Sequence, residues 1–407
     1  MKQRESKAAS EFSGSCPGCG AAGPHAVFYE QQGIPVHSCL MMETREEARA
    51  FPKGDLRLAF CGACGFIWNV AFVPAHMRYL GEDSSRYEET QCFSPRFRRF
   101  QTALVDRLIE RYDLRGRQIL EIGCGKGDFL VELCERGGNS GVGLDPAYRP
   151  ERTASEAASR IRFLRELYSE AQADLAGDFV ACRHTLEHIP EPSRFVELVR
   201  RSLHARRDVT VFFELPDVER VLEEQAFWDI YYEHCSYFSP GSLGRLFRRC
   251  GFEVLELSKD YDDQYLLIEA RPATSPPREP HPSEEPLEEL ETEVHRFSER
   301  VASRQASLKE ALQEAVRAGK EPILWGSGSK AVAYLSTLGI GEEIPCVVDI
   351  NPHRHGKFLA GTGHEIVSPE ALRVLQPDLV IAMNPVYVNE ICADLGRLGV
   401  AAEVVAL

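Results

Sequence analysis

Residues 118–137, QILEIGCGKGDFLVELCERG, place a short apolar run, three glycines and an amphipathic stretch in that order. Such an order predicts a buried strand, a turn whose backbone can pass close to a ligand, and a helix closing at Gly137. Apolar runs recur at SGVGLDPAY (140–148), IRFLREL (161–167), DFVACRHTLEHIPEP (178–192) and DVTVFFELPD (208–217). Strands alternating with helices predict a parallel, doubly wound α/β sheet. Before it, Phe97, Phe100, Leu104, Leu108 and Ile109 recur near helical spacing and predict a helix over 95–115.

At 407 residues the chain exceeds what one core usually serves. Composition marks the seams. Residues 271–290, RPATSPPREPHPSEEPLEEL, hold six prolines and many acids and predict a linker. A long charged helix should follow, then a second strand–glycine turn–helix unit at EPILWGSGSKAVAYLSTLGI (321–340), with further strands at IPCVVDINP and PDLVIAMNP. The expected division is an N-terminal metal-binding part (1–80), a central α/β domain (81–270), the linker (271–290), and a C-terminal helix with a second Rossmann-like unit (291–407).

The N-terminal part carries CPGC (Cys16, Cys19) and CGAC (Cys61, Cys64), each followed by glycine. Two such knuckles supply a tetrahedral set of four thiolates, which predicts a closed, structural Zn²⁺ site. His37 and Cys39 in PVHSC are alternative ligands or ordinary loop residues. Redox chemistry fits less well, because neither pair follows a strand in a βαβ unit. The 13 cysteines are odd in number and scattered, with no export signal before them, which argues against a disulfide framework. The N-terminus lacks a signal-peptide core and no apolar run is long enough to span a bilayer, so the expected location is the cytoplasm. Acids outnumber bases 62 to 47, a net charge of −15, which disfavours nucleic-acid binding and leaves RFRRF (96–100) as a solvated helix face.

The glycine turn reads Glu121, Gly123, Gly125, Gly127, a G-x-G-x-G pattern preceded by an acid, and Asp145 lies 18 residues past Gly127. A carboxylate at the end of the second strand can accept two ribose hydroxyls. With LEHIPEP after the fourth strand, this set resembles the first motifs of class I S-adenosylmethionine (SAM)-dependent methyltransferases. The resemblance implies that Glu121 serves the methionyl end through the loop, that Asp145 binds ribose, and that the region of Arg183 and His184 lies near the cofactor. His188 is read as a cap for the following segment.

One stretch remains, FWDIYYEHCSYFSP (227–240), with Tyr231, Glu233 and His234. On its own it is an aromatic core cluster or a base with its partners. End to end, the chain is similar to three-part C-methyltransferases acting on nucleotide-linked keto-sugars in antibiotic deoxysugar biosynthesis. Those have a zinc-binding part, a methyltransferase and a Rossmann-like C-terminal part. The resemblance implies His234 as base, with Glu233 and Tyr231 beside it. The chemistry agrees, since carbon becomes a nucleophile only after a proton next to a carbonyl is removed. Imidazole suits that task near neutral pH, a neighbouring carboxylate can orient it, and a phenol can hold the enolate oxygen.

Two places depart from that family. A histidine–glycine–glycine turn is replaced by YDDQYLLIEA (261–270), and a Trp-Asn-His on a late strand by MNP (383–385), where Asn384 survives. Tyr87, Lys330 (through a phosphate) and Asn384 are the candidate acceptor contacts. The C-terminal GSGSKA with Asp349 also mimics a dinucleotide fingerprint but lacks its third glycine. The expected activity is SAM-dependent C-methylation of a nucleotide-linked keto-sugar or related small keto metabolite. The alternatives are an O- or N-methyltransferase on a small metabolite, an NAD-dependent dehydrogenase, and a non-enzymatic zinc-ribbon interaction protein.

Overall fold

The computed structural model describes residues 10–77, 79, 83–153, 155–175, 177–274 and 279–407. Three sheets organise the described residues. The first is antiparallel, built from β1 (Ser10–Phe12), β2 (His25–Pro35), β3 (Lys53–Phe60) and β4 (Ile67–Asn69). It is completed by β10 (Ser236–Tyr237), which pairs with β4 in the order β1-β2-β3-β4-β10. The N-terminal sheet therefore captures the two residues that follow His234-Cys235, and the Asn69 amide donates to the Cys235 carbonyl at 2.9 Å.

The central sheet has seven strands: β5 (Gln118–Ile122), β6 (Ser140–Leu144), β7 (Ile161–Leu164), β8 (Phe179–Arg183), β9 (Thr210–Pro216), β11 (Phe252–Asp260) and β12 (Tyr265–Pro272). Their order is β11-β12-β9-β8-β5-β6-β7. The first five in sequence are parallel, as expected, but β12 runs antiparallel to β9 and β11 antiparallel to β12. The hairpin was missed because its strands mix charged and apolar residues. Its outer strand is only half buried, so no continuous apolar run marks it.

The helix Pro95–Tyr112 forms where expected, capped by Ser94, whose side chain accepts from the Phe97 amide, and it buries Phe97, Leu104, Val105, Leu108 and Ile109. The 31-residue helix Leu287–Arg317 leads to the third sheet, burying Leu290, Val294, Phe297, Val301 and Leu312 along one stripe. That sheet is all parallel: β13 (Pro322–Trp325), β14 (Cys346–Val348), β15 (Glu365–Val367), β16 (Leu379–Ala382) and β17 (Glu403–Ala406), in the order β15-β14-β13-β16-β17. In both α/β sheets the first strand, β5 or β13, sits where the strand order reverses. A ligand crevice opens beyond the carboxyl ends of strands at such a point.

Candidate active site

One cavity of about 1090 Å³ joins the ends of β5 and β13, lined by the glycine turn, by Glu187, His188, Tyr231 and His234, and by Lys330 and Asn384. Its cofactor side is built by the turn after β5. Gly123, Gly125 and Gly127 all sit at positive φ. At Gly123 the requirement is absolute, because a Cβ there would lie 1.9 Å from Thr185 Oγ1. Asp145, one residue past β6, accepts from the Gly125 amide at 2.9 Å and the Ala147 amide at 2.7 Å while remaining partly exposed. Glu121 is 2 % exposed and its Oε2 has no hydrogen-bond partner among the described residues. Burial lifts its carboxyl to about 8, against the pull of Arg183. An orphaned buried carboxyl oxygen beside a tight glycine cradle fits a ligand bearing hydrogen-bond donors.

His184 lies at φ 46, a left-handed conformation uncommon outside glycine. Its Nε2 is 2.9 Å from Glu214 Oε1 and its Nδ1 3.6 Å from Glu187 Oε1. Burial alone would discharge it, but those two carboxylates hold its pKa up at about 9. Its ring meets Tyr265 edge-on at 4.6 Å. Arg183 pairs with the same Glu214 at 2.8 Å.

His234 is 6 % exposed, with its ring 4.1 Å from that of Tyr231 and 4.8 Å from that of His188. Burial first, and then His188, push its pKa down to about 3, so the imidazole is uncharged at neutral pH rather than poised near it. The carboxylate nearest to it is Glu187, at 4.0 Å, and not Glu233. Both Glu187 oxygens lack hydrogen-bond partners among the described residues. Glu187 was not among the site residues expected from sequence, although it lies in the LEHIPEP stretch three residues after His184.

Glu233 departs from its expected place beside the His234 ring. Its carboxylate accepts from the Ser38 amide at 2.5 Å, Ser38 Oγ at 2.8 Å, Tyr87 OH at 3.0 Å and Tyr79 OH at 3.3 Å, and lies 3.2 Å from His37 Nδ1. Burial would raise this carboxyl, but His37, His188 and the Ser38 amide outweigh it and hold it well below the usual carboxylate range. The reason is topological. Strand β10 fixes the residues after His234 to the N-terminal sheet, so the neighbouring Glu233 meets the loop at 37–38. His188 does not cap the following helix Pro192–Ser202, whose N-cap position is Glu191; its Nδ1 instead lies 3.0 Å from both the Glu233 carbonyl and Tyr79 OH.

The acceptor candidates lie on the cavity wall, each already engaged. Tyr87 donates to Glu233. Lys330 Nζ is 2.8 Å from Asp229, whose other cation is Arg220. Asn384 and Gln264 exchange two amide hydrogen bonds of 2.8 and 3.0 Å. The two departures from the family pattern thus face each other, for Gln264 comes from YDDQY and Asn384 from MNP. Tyr261, Asp262 and Asp263 are all left-handed, with φ of 56, 55 and 56. Left-handed backbone costs about 1–2 kcal/mol per residue. It is held here by Tyr261 OH against Tyr387 OH at 2.8 Å, a Tyr261–Tyr265 stack at 5.2 Å, and Arg96 on Asp262 at 2.7 Å.

Away from the cavity, Cys16, Cys19, Cys61 and Cys64 converge, with Sγ–Sγ distances of 3.8 Å (Cys16–Cys64) and 3.7 Å (Cys19–Cys61). Four sulfurs about 2.3 Å from a tetrahedral Zn²⁺ lie about 3.8 Å apart, so this donor set fits the ion. His37 and Cys39 face Glu233 and Ser329 instead, which removes them as ligands.

Residues 95–257 match a family model described as a methyltransferase domain, and residues 283–401 match one described as a C-methyltransferase C-terminal domain. Among curated proteins, the chain is 29% identical over 337 residues to the C-methyltransferase NovU of Streptomyces niveus, covering 78% of this chain and 76% of that protein. The chain thus carries a methyltransferase domain followed by a C-methyltransferase C-terminal domain. A shorter likeness, 32% over 102 residues, joins this methyltransferase to a ubiquinone biosynthesis O-methyltransferase of Escherichia fergusonii, covering 24% of this chain and 42% of that one. Among solved structures, magnesium protoporphyrin IX methyltransferase from Synechocystis PCC 6803 aligns with a TM-score of 0.33 at 16% identity, over 44% of this chain and 84% of its own.

Proposed function

We propose that this methyltransferase transfers the methyl group to carbon, next to the carbonyl of a nucleotide-linked keto-sugar or a related small keto metabolite. The observation that carries the reading is the buried, uncharged His234 set beside the Glu187 carboxylate in the same cavity as the glycine turn. Asp145 would hold the ribose of SAM, and Glu121 would serve its amino-acid end through the turn. SAM supplies an electrophilic methyl on a sulfonium. On the protein side, His234 removes the proton next to the carbonyl, and the negative Glu187 offsets the charge that the imidazole gains. Burial pushes the Tyr231 phenol well above its ordinary value, so it stays protonated and can donate to the enolate oxygen. Glu233 acts one step back, anchoring the backbone that carries His234. Lys330 is spent on Asp229, so a phosphate of the acceptor would meet the amino end of the helix Ser329–Leu338, which follows Gly328 in the cavity wall.

A screen of keto-sugar nucleotides with isotope-labelled SAM, read by mass spectrometry and product NMR, tests the reading. A label on oxygen or nitrogen would overturn the carbon assignment. His234→Asn should lower turnover by about 10²–10⁴-fold while leaving S-adenosylhomocysteine affinity within about twofold. The four-cysteine site is proposed to hold one structural Zn²⁺ per chain. Elemental analysis of the purified protein finding none would remove it.

A further inference from the structure

The segment Tyr87-Glu88-Glu89 is the point where all three parts of the chain and the cofactor turn meet. Tyr87 bridges to Leu40 as an isolated β pair, and the Glu88 amide donates to the Cys39 carbonyl at 2.9 Å, which fastens the segment to the N-terminal part. Tyr87 OH reaches Glu233, next to the proposed base. The Glu88 carboxylate, 6 % exposed, forks onto Arg152 at 2.7 and 3.3 Å in the central domain and accepts from Asn351 Nδ2 at 2.9 Å in the C-terminal domain. The Glu88 carbonyl accepts from Arg354, whose other arm holds Ser327 Oγ at 3.1 Å in the second glycine turn. Asn351 and Arg354 are themselves 2 % and 4 % exposed. One residue on, Glu89 Oε2 is 2.9 Å from Lys126 Nζ, and Lys126 also donates to the Tyr87 carbonyl at 2.8 Å. Lys126 lies between Gly125 and Gly127, and Glu89 Oε1 sits 2.8 Å from where a Cβ on Gly125 would be.

We propose that Tyr87-Glu88-Glu89 is a positioning strap that couples the seating of the C-terminal domain to the shape of the SAM-binding turn. Glu88 grips the C-terminal domain and Glu89 grips the turn, and no flexible residue separates them. A shift of Asn351 and Arg354 therefore moves the carboxylate lying against Gly125. Burial would raise the Glu88 carboxyl, but Arg152 and Asn351 keep it below its ordinary value, so it holds its partners as a carboxylate. The arrangement makes acceptor-side and cofactor-side binding energetically dependent on one another.

The test is calorimetric titration of S-adenosylhomocysteine into the full-length zinc-loaded protein and its Asn351→Ala, Glu88→Ala and doubly substituted variants. Asn351→Ala should weaken binding by about 5–20-fold, within the usual range of coupling between sites. Glu88→Ala should weaken it at least as much, and the double variant should be no weaker than Glu88→Ala alone. Glu88→Gln, which keeps an acceptor for Asn351 but loses the charge facing Arg152, should fall between. Affinity within about twofold of the parent in Asn351→Ala, or losses that multiply in the double variant, would overturn the strap, since multiplied losses mean independent contacts. A second readout needs no variant. S-adenosylhomocysteine should slow amide hydrogen exchange over 350–358, and an unchanged exchange there would equally overturn it.

Discussion

The two glycine turns of this enzyme share one backbone device and differ in what is left over. After β5, Asp145 accepts from the Gly125 and Ala147 amides; after β13, Asp349 accepts from the Ser327 and Asn351 amides at 2.9 and 2.8 Å. The central turn keeps an orphaned carboxyl oxygen on Glu121. At the C-terminal turn the acid itself is engaged internally: Asp349 also takes Ser327 Oγ at 2.5 Å and faces Arg354 at 3.7 Å, and Lys330 is bound to Asp229. The turn after β13 therefore carries the acid of a dinucleotide fingerprint with that acid already engaged by its own backbone. What distinguishes the central turn is a buried carboxyl oxygen with no hydrogen-bond partner among the described residues, whose cost a ligand removes.

The largest expected effect follows from that cost. Glu121 ionises near 4.5 when unfolded and at about 8 when folded, burial being the cause. Its contribution to stability is therefore fully present below pH 4.5 and is lost as pH rises through 8. Thermal melts of the cofactor-free protein should show Glu121→Gln gaining stability over the parent as pH rises from 4.5 to 8, by on the order of a few kcal/mol. The two should converge toward pH 4.5. Parallel profiles would mean that the central turn carries no stored cost, and the contrast between the turns would fail. The second effect concerns affinity. Asp145→Ala should weaken S-adenosylhomocysteine binding by about 1.5–3 kcal/mol, the range for hydrogen bonds to charged groups, read by calorimetry. Saturable binding of NADH at the C-terminal turn would break the comparison from the other side.

How much of this was legible in sequence depended on the range of the contacts. The glycine turns, the parallel strands and the cysteine knuckles are local patterns, and each was readable from spacing alone. Glu233 was not. Its partners Ser38 and His37 lie almost two hundred residues away, and the two-residue strand Ser236–Tyr237 that brings them together has no periodicity to read. The pairing of Gln264 with Asn384 was hidden likewise. The two positions stood out as departures from a family pattern, yet nothing in either local sequence showed that they meet across a domain boundary.

The smallest effect tests whether the C-terminal turn is closed by its ion pairs or only decorated by them. Lys330 opens the helix behind that turn and Asp229 precedes the Tyr231–His234 segment, so their pair ties the turn to the proposed base. Burial and Arg220 lower the Lys330 ammonium while Asp229 supports it, so the pair is held by a buried carboxylate and not by exposure to water. Arg220 remains on Asp229 when Lys330 is removed, which keeps the loss well short of a stranded buried charge. Lys330→Ala should cost about 1 kcal/mol of stability in denaturant unfolding and leave S-adenosylhomocysteine affinity within about twofold. A large loss of cofactor affinity in Lys330→Ala would mean that the second turn holds the cofactor too, and the division of labour drawn between the two turns would have to be abandoned.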